Sequence, residues 1–199
     1  MKDKIRADLV ESAQIKMKLA ENHLNEIVIA TEWIVNAYKD GGRLVIFGNG
    51  GSAADAQHIA GELVNYFRIK GRPMLDCLSL TTNTSVLTAI ANDIGYEAVF
   101  AKQVESLVNC KDIVMGLSTS GNSPNVIKGI ETAKKKGAKT IAMTGETGGK
   151  LKGIADLIIA VPSNDTPRIQ ESHIAIGHII CDILESALFK DYEKDEDVI

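Results

Sequence analysis

Five short, almost wholly apolar runs divide the chain beyond residue 42. They are residues 43–48, 77–81, 112–117, 139–144 and 155–161. Runs of this length without polar alternation are typical of strands that are covered on both faces. Segments with helical spacing separate most of them, at residues 53–67, 85–91, 97–108 and 124–136. The alternation predicts βαβ units, and therefore an α/β fold with an open five-stranded parallel sheet flanked by helices.

The segments before and after these runs complete the prediction. Residues 5–38 contain few helix breakers and predict one or two helices, with an apolar stripe formed by Leu9, Ala13, Met17, Ala20, Leu24, Ile27 and Ile34. This stripe can pack on the α/β part or form an oligomer interface, and we expect both. Thr166 as N-cap and Pro167 at the first helical position predict a last helix that runs to about Phe189.

The length of the chain, 199 residues, fits one domain. Within this single domain we assign residues 1–40 to N-terminal helices used in oligomer packing, residues 41–189 to the α/β core, and residues 190–199 to a charged tail.

Charge and cysteine content narrow the class of function. The formal net charge of −4 argues against a general nucleic-acid-binding protein, and it requires that an anionic ligand be held by local donors. The three cysteines are widely spaced and odd in number, so a disulfide framework or a cysteine zinc site is not expected. Because residues 1–8 are charged and no apolar run reaches the length of a membrane span, we expect a cytoplasmic protein without membrane contact.

A glycine-rich turn, residues 48–53, follows the first predicted strand. It matches G-x-G-x-x-A, a variant of the dinucleotide-binding fingerprint. That fingerprint also needs an acidic residue at the end of the second strand, where this chain has Ser79-Leu80-Thr81, so we expect no nucleotide cofactor. The two interpretations that remain are a tight turn without a ligand and a turn whose amides and Ser52 hydroxyl contact an anion or a sugar.

A second loop, Ser118-Thr119-Ser120-Gly121-Asn122-Ser123-Pro124, follows the third predicted strand. Ser123 is placed as an N-cap and Pro124 as the first helical residue. Four hydroxyl groups and a glycine before a helix N-terminus favour a phosphate site over a plain serine-rich turn. The loop has no Walker lysine, which argues against an NTPase.

Two pairs of polar side chains lie on predicted helices. His58 and Glu62 are four residues apart and share one helix face, which suits a metal, an acid/base pair or an ordinary ion pair. Gln170 and His178 are two turns apart on the last helix. His178 is surrounded in sequence by apolar residues, which would also suit a core histidine.

Four separated blocks together resemble the sugar-isomerase (SIS) domain family and, within it, the phosphoheptose isomerases. The blocks are residues 48–62, 87–93, 118–123, and 168–171 with His178. The likeness extends over nearly the whole chain, and four blocks in one order are much more specific than any of them alone. It implies the SIS fold, a flavodoxin-like, Rossmann-like sandwich.

The resemblance implies an aldose–ketose isomerase that converts sedoheptulose 7-phosphate to D-glycero-D-manno-heptose 7-phosphate through an enediol. That reaction supplies heptose for the lipopolysaccharide core. The resemblance also implies zinc as cofactor and a homotetramer with active sites between subunits. A carboxylate and an imidazole can perform the two proton transfers of such an isomerisation.

The same resemblance assigns the site residues. The acid/base residues are Glu62 and His178, and the zinc ligands are His58, Glu62, Gln170 and His178. The residues implied to bind the sugar are Asn49, Gly50, Gly51, Ser52, Asn92, Asp93 and Gln170, and those implied to bind the phosphate are Ser118, Thr119, Ser120 and Ser123. Glutamine is an unusual zinc ligand beside histidine and carboxylate.

Two alternative functions remain open at this point. Some relatives of this isomerase bind the bacterial replication initiator instead, and they lack the glutamate and the metal pair of the first core helix. The presence of His58 and Glu62 favours the enzyme. An isomerase of another phosphosugar would use the same phosphate loop.

Overall fold

The computed structural model describes residues 1–190 and 192, and within that part of the chain it has seven α-helices and five strands. The helices are α1 (Lys2–Asn22), α2 (Leu24–Lys39), α3 (Gly51–Val64), α4 (Thr84–Asp93), α5 (Val99–Leu107), α6 (Pro124–Lys135) and α7 (Thr166–Leu188). The strands are β1 (Leu44–Gly48), β2 (Cys77–Ser79), β3 (Ile113–Ser118), β4 (Lys139–Thr144) and β5 (Leu157–Ala160). Short 3₁₀ helices cover Tyr96–Ala98 and Gly149–Gly153. Most of the predicted tail, residues 190–199, lies outside the described residues.

The strands form one parallel sheet in the order β2-β1-β3-β4-β5, which confirms the predicted fold class. Both faces of the sheet are covered, and every residue of β1 and β3 is buried. Alternate residues of each strand point to opposite faces. Leu44 and Ile46 of β1 therefore pack with α1, α2, α3 and α7, while Val45 and Phe47 pack with α5 and α6.

The N-terminal region consists of two helices, as predicted, with a break at His23. The predicted apolar stripe of α1 does not pack on the α/β part, because Leu9 is 67% exposed and Met17 is 62% exposed. Its expected role in an oligomer interface stays a prediction. The buried residues of α1 are Ile15 and Leu19, which lie on a different face. A helix with apolar residues on two faces gives no unique stripe, and only the packing on α7 selects one of them.

The helix boundaries differ from the prediction by up to three residues, and two of these differences concern α3 and α7. α3 ends at Val64 and not at Phe67, because the backbone N–H groups of residues 67–69 turn towards the carboxylate of Glu185. α7 begins at Thr166 with Asp165 as N-cap, one residue earlier than predicted. Pro167 remains in the first turn, where its missing N–H has no intrahelical partner to lose.

Helices α3 and α7 lie side by side and run in the same direction. Gln170 lies against Gly51 near the start of both helices, and His178 meets His58 near their middle. Glu185 then contacts the segment just after α3. This parallel packing brings together side chains that are more than a hundred residues apart in the sequence.

Among residues 1–190 and 192, no helix combines the length and the apolar character needed to cross a membrane.

Candidate functional site

Three of the predicted site residues meet in a cluster between α3 and α7. His58 Nε2 is 3.0 Å from Glu62 Oε1, and the same nitrogen is 3.0 Å from His178 Nε2. One ligand atom from each side chain lies within 4.8 Å of the other two. The side chain of His58 is 47% exposed and that of Glu62 is 28% exposed, so the cluster is open to a ligand.

Packing fixes the orientation of the imidazole of His178. The ring of Phe67 stacks on it with a centroid distance of 5.4 Å and an interplanar angle of 30°. The ring of His58 is tilted against it at 4.9 Å. The sequence context suggested a core histidine, but His178 is only half-buried and presents its Nε2 atom to the cluster.

Asp55 lies on α3 one turn before His58. Burial raises the pKa of this carboxyl group, and the nearby His58 opposes the shift. Its Oδ2 atom is buried and has no hydrogen-bond partner within the described part of the chain. Sequence reasoning missed Asp55, although its spacing of three from His58 was a usable signal.

Gln170, the fourth predicted zinc ligand, lies near the start of α7, two turns before His178. Its amide group lies so close to Gly51 that a Cβ atom at residue 51 would come within 2.7 Å of Gln170 Nε2 and Oε1. The absence of a side chain at Gly51 therefore makes room for the amide. The structure therefore places the Gln170 amide against the glycine turn.

The serine-rich loop closes on itself at the carboxyl end of β3. Ser118 and Ser123 are joined by a hydrogen bond of 2.9 Å between their hydroxyl groups. Ser123 is the N-cap of α6 and Pro124 occupies its first turn, as predicted. Gly121 has a φ of +65° and packs against the backbone of Gly148, which leaves no space for a Cβ atom. This close packing fixes the shape of the loop.

The remaining hydroxyls of the loop lie at its open side. Ser120 is exposed and its Oγ accepts a hydrogen bond of 3.1 Å from Asn122 N, while Thr119 is half-buried. Asn122 Oδ1 accepts from the backbone of Lys150, 3.1 Å away. The positive end of the α6 dipole faces the same loop, so hydroxyls and a helix N-terminus can hold a phosphate group here.

The glycine-rich turn lies at the carboxyl end of the adjacent strand, β1. Ser52 is buried in the first turn of α3, and its backbone N–H donates to Asn49 O at 3.0 Å. Gly50, the N-cap of α3, is exposed. Asn49 forms a reciprocal amide pair with Asn125 of α6, with hydrogen bonds of 2.9 and 2.8 Å.

Asn92 and Asp93 lie at the end of α4 and are exposed. Asn92 Nδ2 donates to Asp93 Oδ1 at 2.8 Å. The chain then turns back to the site, where the hydroxyl of Tyr96 donates to Asn49 Oδ1 at 3.1 Å. Asn125 and Tyr96 belong to this part of the site, and sequence reasoning missed both of them.

A buried ion pair supports the end of α3. Arg72 Nε donates to Glu185 Oε1 at 2.6 Å, and both side chains are almost completely buried. Arg72 Nη2 also donates to the backbone carbonyls of Glu62 and Leu63, at 3.0 and 2.9 Å. The pair therefore holds the backbone of Glu62 itself. No motif identified it, because Arg72 lies in an irregular segment.

His173, the other histidine of α7, is fully buried with Nε2 3.2 Å from the carbonyl oxygen of Thr144. Burial lowers the pKa of His173 to about 4, although the contact with Thr144 acts in the opposite direction. His173 is therefore neutral near pH 7 and has a structural position in the core.

The fold and these clusters define a class of protein: an α/β domain with a serine-rich loop at a helix N-terminus and a histidine–carboxylate cluster. Comparisons with known proteins agree with this class. Residues 9–145 match the family described as SIS domain. A phosphoheptose isomerase from Thermodesulfovibrio yellowstonii is 50% identical over 190 residues, which cover 96% of this chain and 94% of that protein.

Two solved structures resemble this one closely. A phosphoheptose isomerase from Neisseria gonorrhoeae has a TM-score of 0.87 and 39% identity, covering 93% of this chain and 98% of the other. A phosphoheptose isomerase from Francisella tularensis has a TM-score of 0.89 and 36% identity, covering 92% and 97%. The chain belongs to the SIS-domain family and, within it, to the phosphoheptose isomerases, which are enzymes.

Proposed function

We propose that this protein interconverts sedoheptulose 7-phosphate and D-glycero-D-manno-heptose 7-phosphate. The observation that carries the proposal is the His58–Glu62–His178 cluster, found in a chain that is 50% identical to a phosphoheptose isomerase. Moving a carbonyl group between C1 and C2 requires a base for a carbon-bound proton and an acid for the neighbouring oxygen. A carboxylate and an imidazole in one cluster supply both.

Glu62 is the residue that takes the proton from carbon and returns it to the adjacent carbon. Its side chain is 28% exposed, and its backbone is held by Arg72, so it can reach a ligand from a fixed helix end. His178 serves the oxygen atoms through Nε2, with its ring held by Phe67. The two groups act on an enediol, in which the C1–C2 unit carries a hydroxyl group on each carbon.

The phosphate group of the substrate binds in the serine-rich loop. The donors are the hydroxyls of Ser118, Thr119, Ser120 and Ser123 and the N-terminus of α6. This arrangement uses no lysine or arginine side chain for the anion, and it agrees with the net negative charge of the chain. Asn49, Gly50, Gly51, Ser52, Asn92, Asp93 and Gln170 line the sugar.

A zinc ion fits the donor set of the histidine cluster. Two imidazole nitrogens and one carboxylate oxygen lie within 4.8 Å of one another, and catalytic zinc sites commonly combine these ligand types and keep a further position open. His58, Glu62 and His178 would hold the ion, with Gln170 as a fourth ligand. A bound zinc ion supplies Lewis-acid polarisation of a carbonyl group.

Metal analysis tests this ligand set apart from activity. We expect His58→Ala to lower the zinc content per subunit, measured by elemental analysis after equilibration with zinc. His23→Ala, which changes a histidine outside the cluster, is the matched control and keeps the zinc content of the parent. Equal zinc contents in the two variants would exclude the site.

We also propose a cytoplasmic homotetramer with active sites between subunits, which supplies heptose for the lipopolysaccharide core. The support for assembly is the row of exposed apolar residues on the N-terminal helices: Ile5, Leu9, Val10, Met17, Leu24, Val28 and Ile29. Apolar surface of this kind commonly marks an interface between proteins. Light scattering after size exclusion measures the mass: four chains are expected, and a monomer would contradict the assembly.

An isomerase assay on three substrates tests the function. We expect turnover of sedoheptulose 7-phosphate, and much slower or no turnover of fructose 6-phosphate and ribulose 5-phosphate. Preference for one of the other two sugars would reassign the substrate. No turnover of any of the three would favour the second candidate, a binding protein built on the same fold.

A further inference from the structure

A hydrogen-bond chain fixes the side-chain amide of Asn49, and its starting point is a backbone group. Val126 N donates to Asn125 Oδ1 at 2.9 Å, and a backbone N–H can only donate. This contact identifies which end of the Asn125 amide is the oxygen. Asn125 Nδ2 must therefore face Asn49, and it donates to Asn49 Oδ1 at 2.8 Å.

The orientation of the Asn125 amide in turn determines the orientation of the Asn49 amide. Its Oδ1 atom accepts from Asn125 and also from the hydroxyl of Tyr96 at 3.1 Å, so both lone pairs of this oxygen are used. One N–H of Nδ2 donates to Asn125 Oδ1 at 2.9 Å. The second N–H has no partner in residues 1–190 and 192. Asn49 can thus offer a ligand a hydrogen-bond donor and no acceptor.

Burial makes this arrangement rigid. Asn125 is 2% exposed in the first turn of α6, whereas Asn49 is half-buried at the glycine turn. Rotating the Asn49 amide by 180° would place its nitrogen against Nδ2 of Asn125 and its oxygen against Oδ1 of Asn125, so that both hydrogen bonds of the pair would be lost, which is costly. The hydroxyl of Tyr96 can donate or accept, so Asn125 sets the orientation and Tyr96 follows it.

We propose that Asn125 is a positioning residue that locks Asn49 as a hydrogen-bond donor to an oxygen atom of the sugar chain, and that Tyr96 supports the lock by occupying the second lone pair of Asn49 Oδ1. The inference rests on the proposed function, since it assumes a polyhydroxylated phosphosugar beside the serine-rich loop. Asn125 is two residues after the N-cap Ser123, so the lock also ties the sugar-binding turn to the phosphate loop. Neither residue needs to touch the reacting carbons.

The test compares two ligands in a Glu62→Gln background, in which turnover is suppressed. Calorimetry gives the Kd of sedoheptulose 7-phosphate, which uses the phosphate loop and Asn49, and the Kd of inorganic phosphate, which uses the loop alone. Asn125→Ala should raise the Kd of the sugar phosphate by about tenfold, because Asn49 is no longer held as an ordered donor. The Kd of inorganic phosphate should change by less than about threefold, since its contacts with the serine-rich loop remain.

Two further variants separate positioning from folding. Tyr96→Phe removes a single hydroxyl and should raise the Kd of the sugar phosphate by about threefold, whereas Tyr192→Phe, beyond the C-terminal end of α7, should leave this Kd unchanged. Asn125→Asp keeps the acceptor for Val126 N and loses the donor to Asn49. The Kd of the sugar phosphate divided by the Kd of inorganic phosphate should therefore rise, as it should in Asn125→Ala. A purely structural role would lower the melting temperature and leave this ratio unchanged.

The outcomes distinguish this inference from the proposed function. A Kd ratio equal to that of the parent in both Asn125→Ala and Tyr96→Phe would overturn the lock. A parent that binds the sugar phosphate no more tightly than inorganic phosphate would overturn it as well. Absence of isomerase activity in the chain with Glu62 intact, together with a raised Kd ratio in the variants, would refute the isomerase and leave the lock in place.

Discussion

Two polar clusters join α3 to α7, and they differ in what surrounds their charges. In the Arg72–Glu185 pair, the carboxylate of Glu185 receives three backbone N–H donors and the arginine, and both side chains are buried. In the His58–Glu62–His178 cluster, the groups contact one another and remain partly exposed. In the first cluster all four acceptor positions of the Glu185 carboxylate are occupied, whereas the second cluster is open to a ligand.

This difference in burial and bonding indicates which of the two clusters can bind a ligand or exchange protons. A saturated, buried ion pair is costly to disturb, and it therefore fixes the backbone. An open cluster contributes little to stability, and its groups are free to exchange protons or bind a metal. Because Arg72 also binds the carbonyl of Glu62, the stable cluster supports the reactive one.

The largest effect is expected for the open cluster. Glu62→Gln removes the proposed proton-transfer group and should lower kcat by about 10³-fold, within the range for general acid–base catalysis. The melting temperature should stay near that of the parent, since the side chain is partly exposed. Glu105→Gln, which changes an exposed carboxylate elsewhere, serves as the control in the same assay. Turnover at the parent rate in Glu62→Gln would rule out this base.

The buried cluster should show the opposite pattern. Arg72→Met leaves Glu185 without its charged partner and should lower the free energy of unfolding by about 3–5 kcal/mol. Adding Glu185→Leu should recover only part of this loss, because residues 67–69 then lose their acceptor. Urea unfolding measures both variants. A loss below about 1 kcal/mol would show that the pair does not anchor the end of α3.

Low pH should reduce the stability that the buried Arg72–Glu185 pair provides. Burial opposes ionisation of Glu185, but the donors of residues 67–69 and Arg72 outweigh it and hold its pKa below the ordinary value of 4.5. The stability that Glu185 provides is therefore complete above about pH 4.5 and is lost as the pH falls through the lower, folded-state pKa. Unfolding measured across acidic pH should show a weaker dependence in Glu185→Gln than in the parent. Identical slopes would contradict the assignment.

The smallest effect is expected at the contact between Gly51 and Gln170. Gly51→Ala places a methyl group against the amide of Gln170, which can swing away because it ends a flexible side chain. Stability should change by less than about 1 kcal/mol, since alanine is the better helix former. kcat/KM should fall by about tenfold, because the displaced amide loses an ordered hydrogen bond. Gly61→Ala, with open space around it, is the matched control.

Sequence reasoning recovered the strands and the loops because these depend on local patterns. The continuous apolar runs identified all strands of the described sheet, and the Ser-Pro pair at residues 123–124 identified the start of α6. The prediction that the N-terminal stripe packs on the α/β part was wrong for α1, since α1 offers apolar residues to more than one face. The predicted end of α3 was wrong as well. Glu185, more than a hundred residues away, accepts hydrogen bonds from the backbone N–H groups that follow the helix.

The sequence by itself determined the alternation of strands and helices, the glycine and serine turns, and the side chains available for chemistry. Only the tertiary structure decided which of them meet. Parallel packing of α3 and α7 brings His178 to His58 and Arg72 to Glu185, and the neighbouring β1 and β3 bring Asn49 to Asn125. Such contacts depend on the relative placement of distant elements, which no local pattern encodes, because it is set by the packing of the whole core.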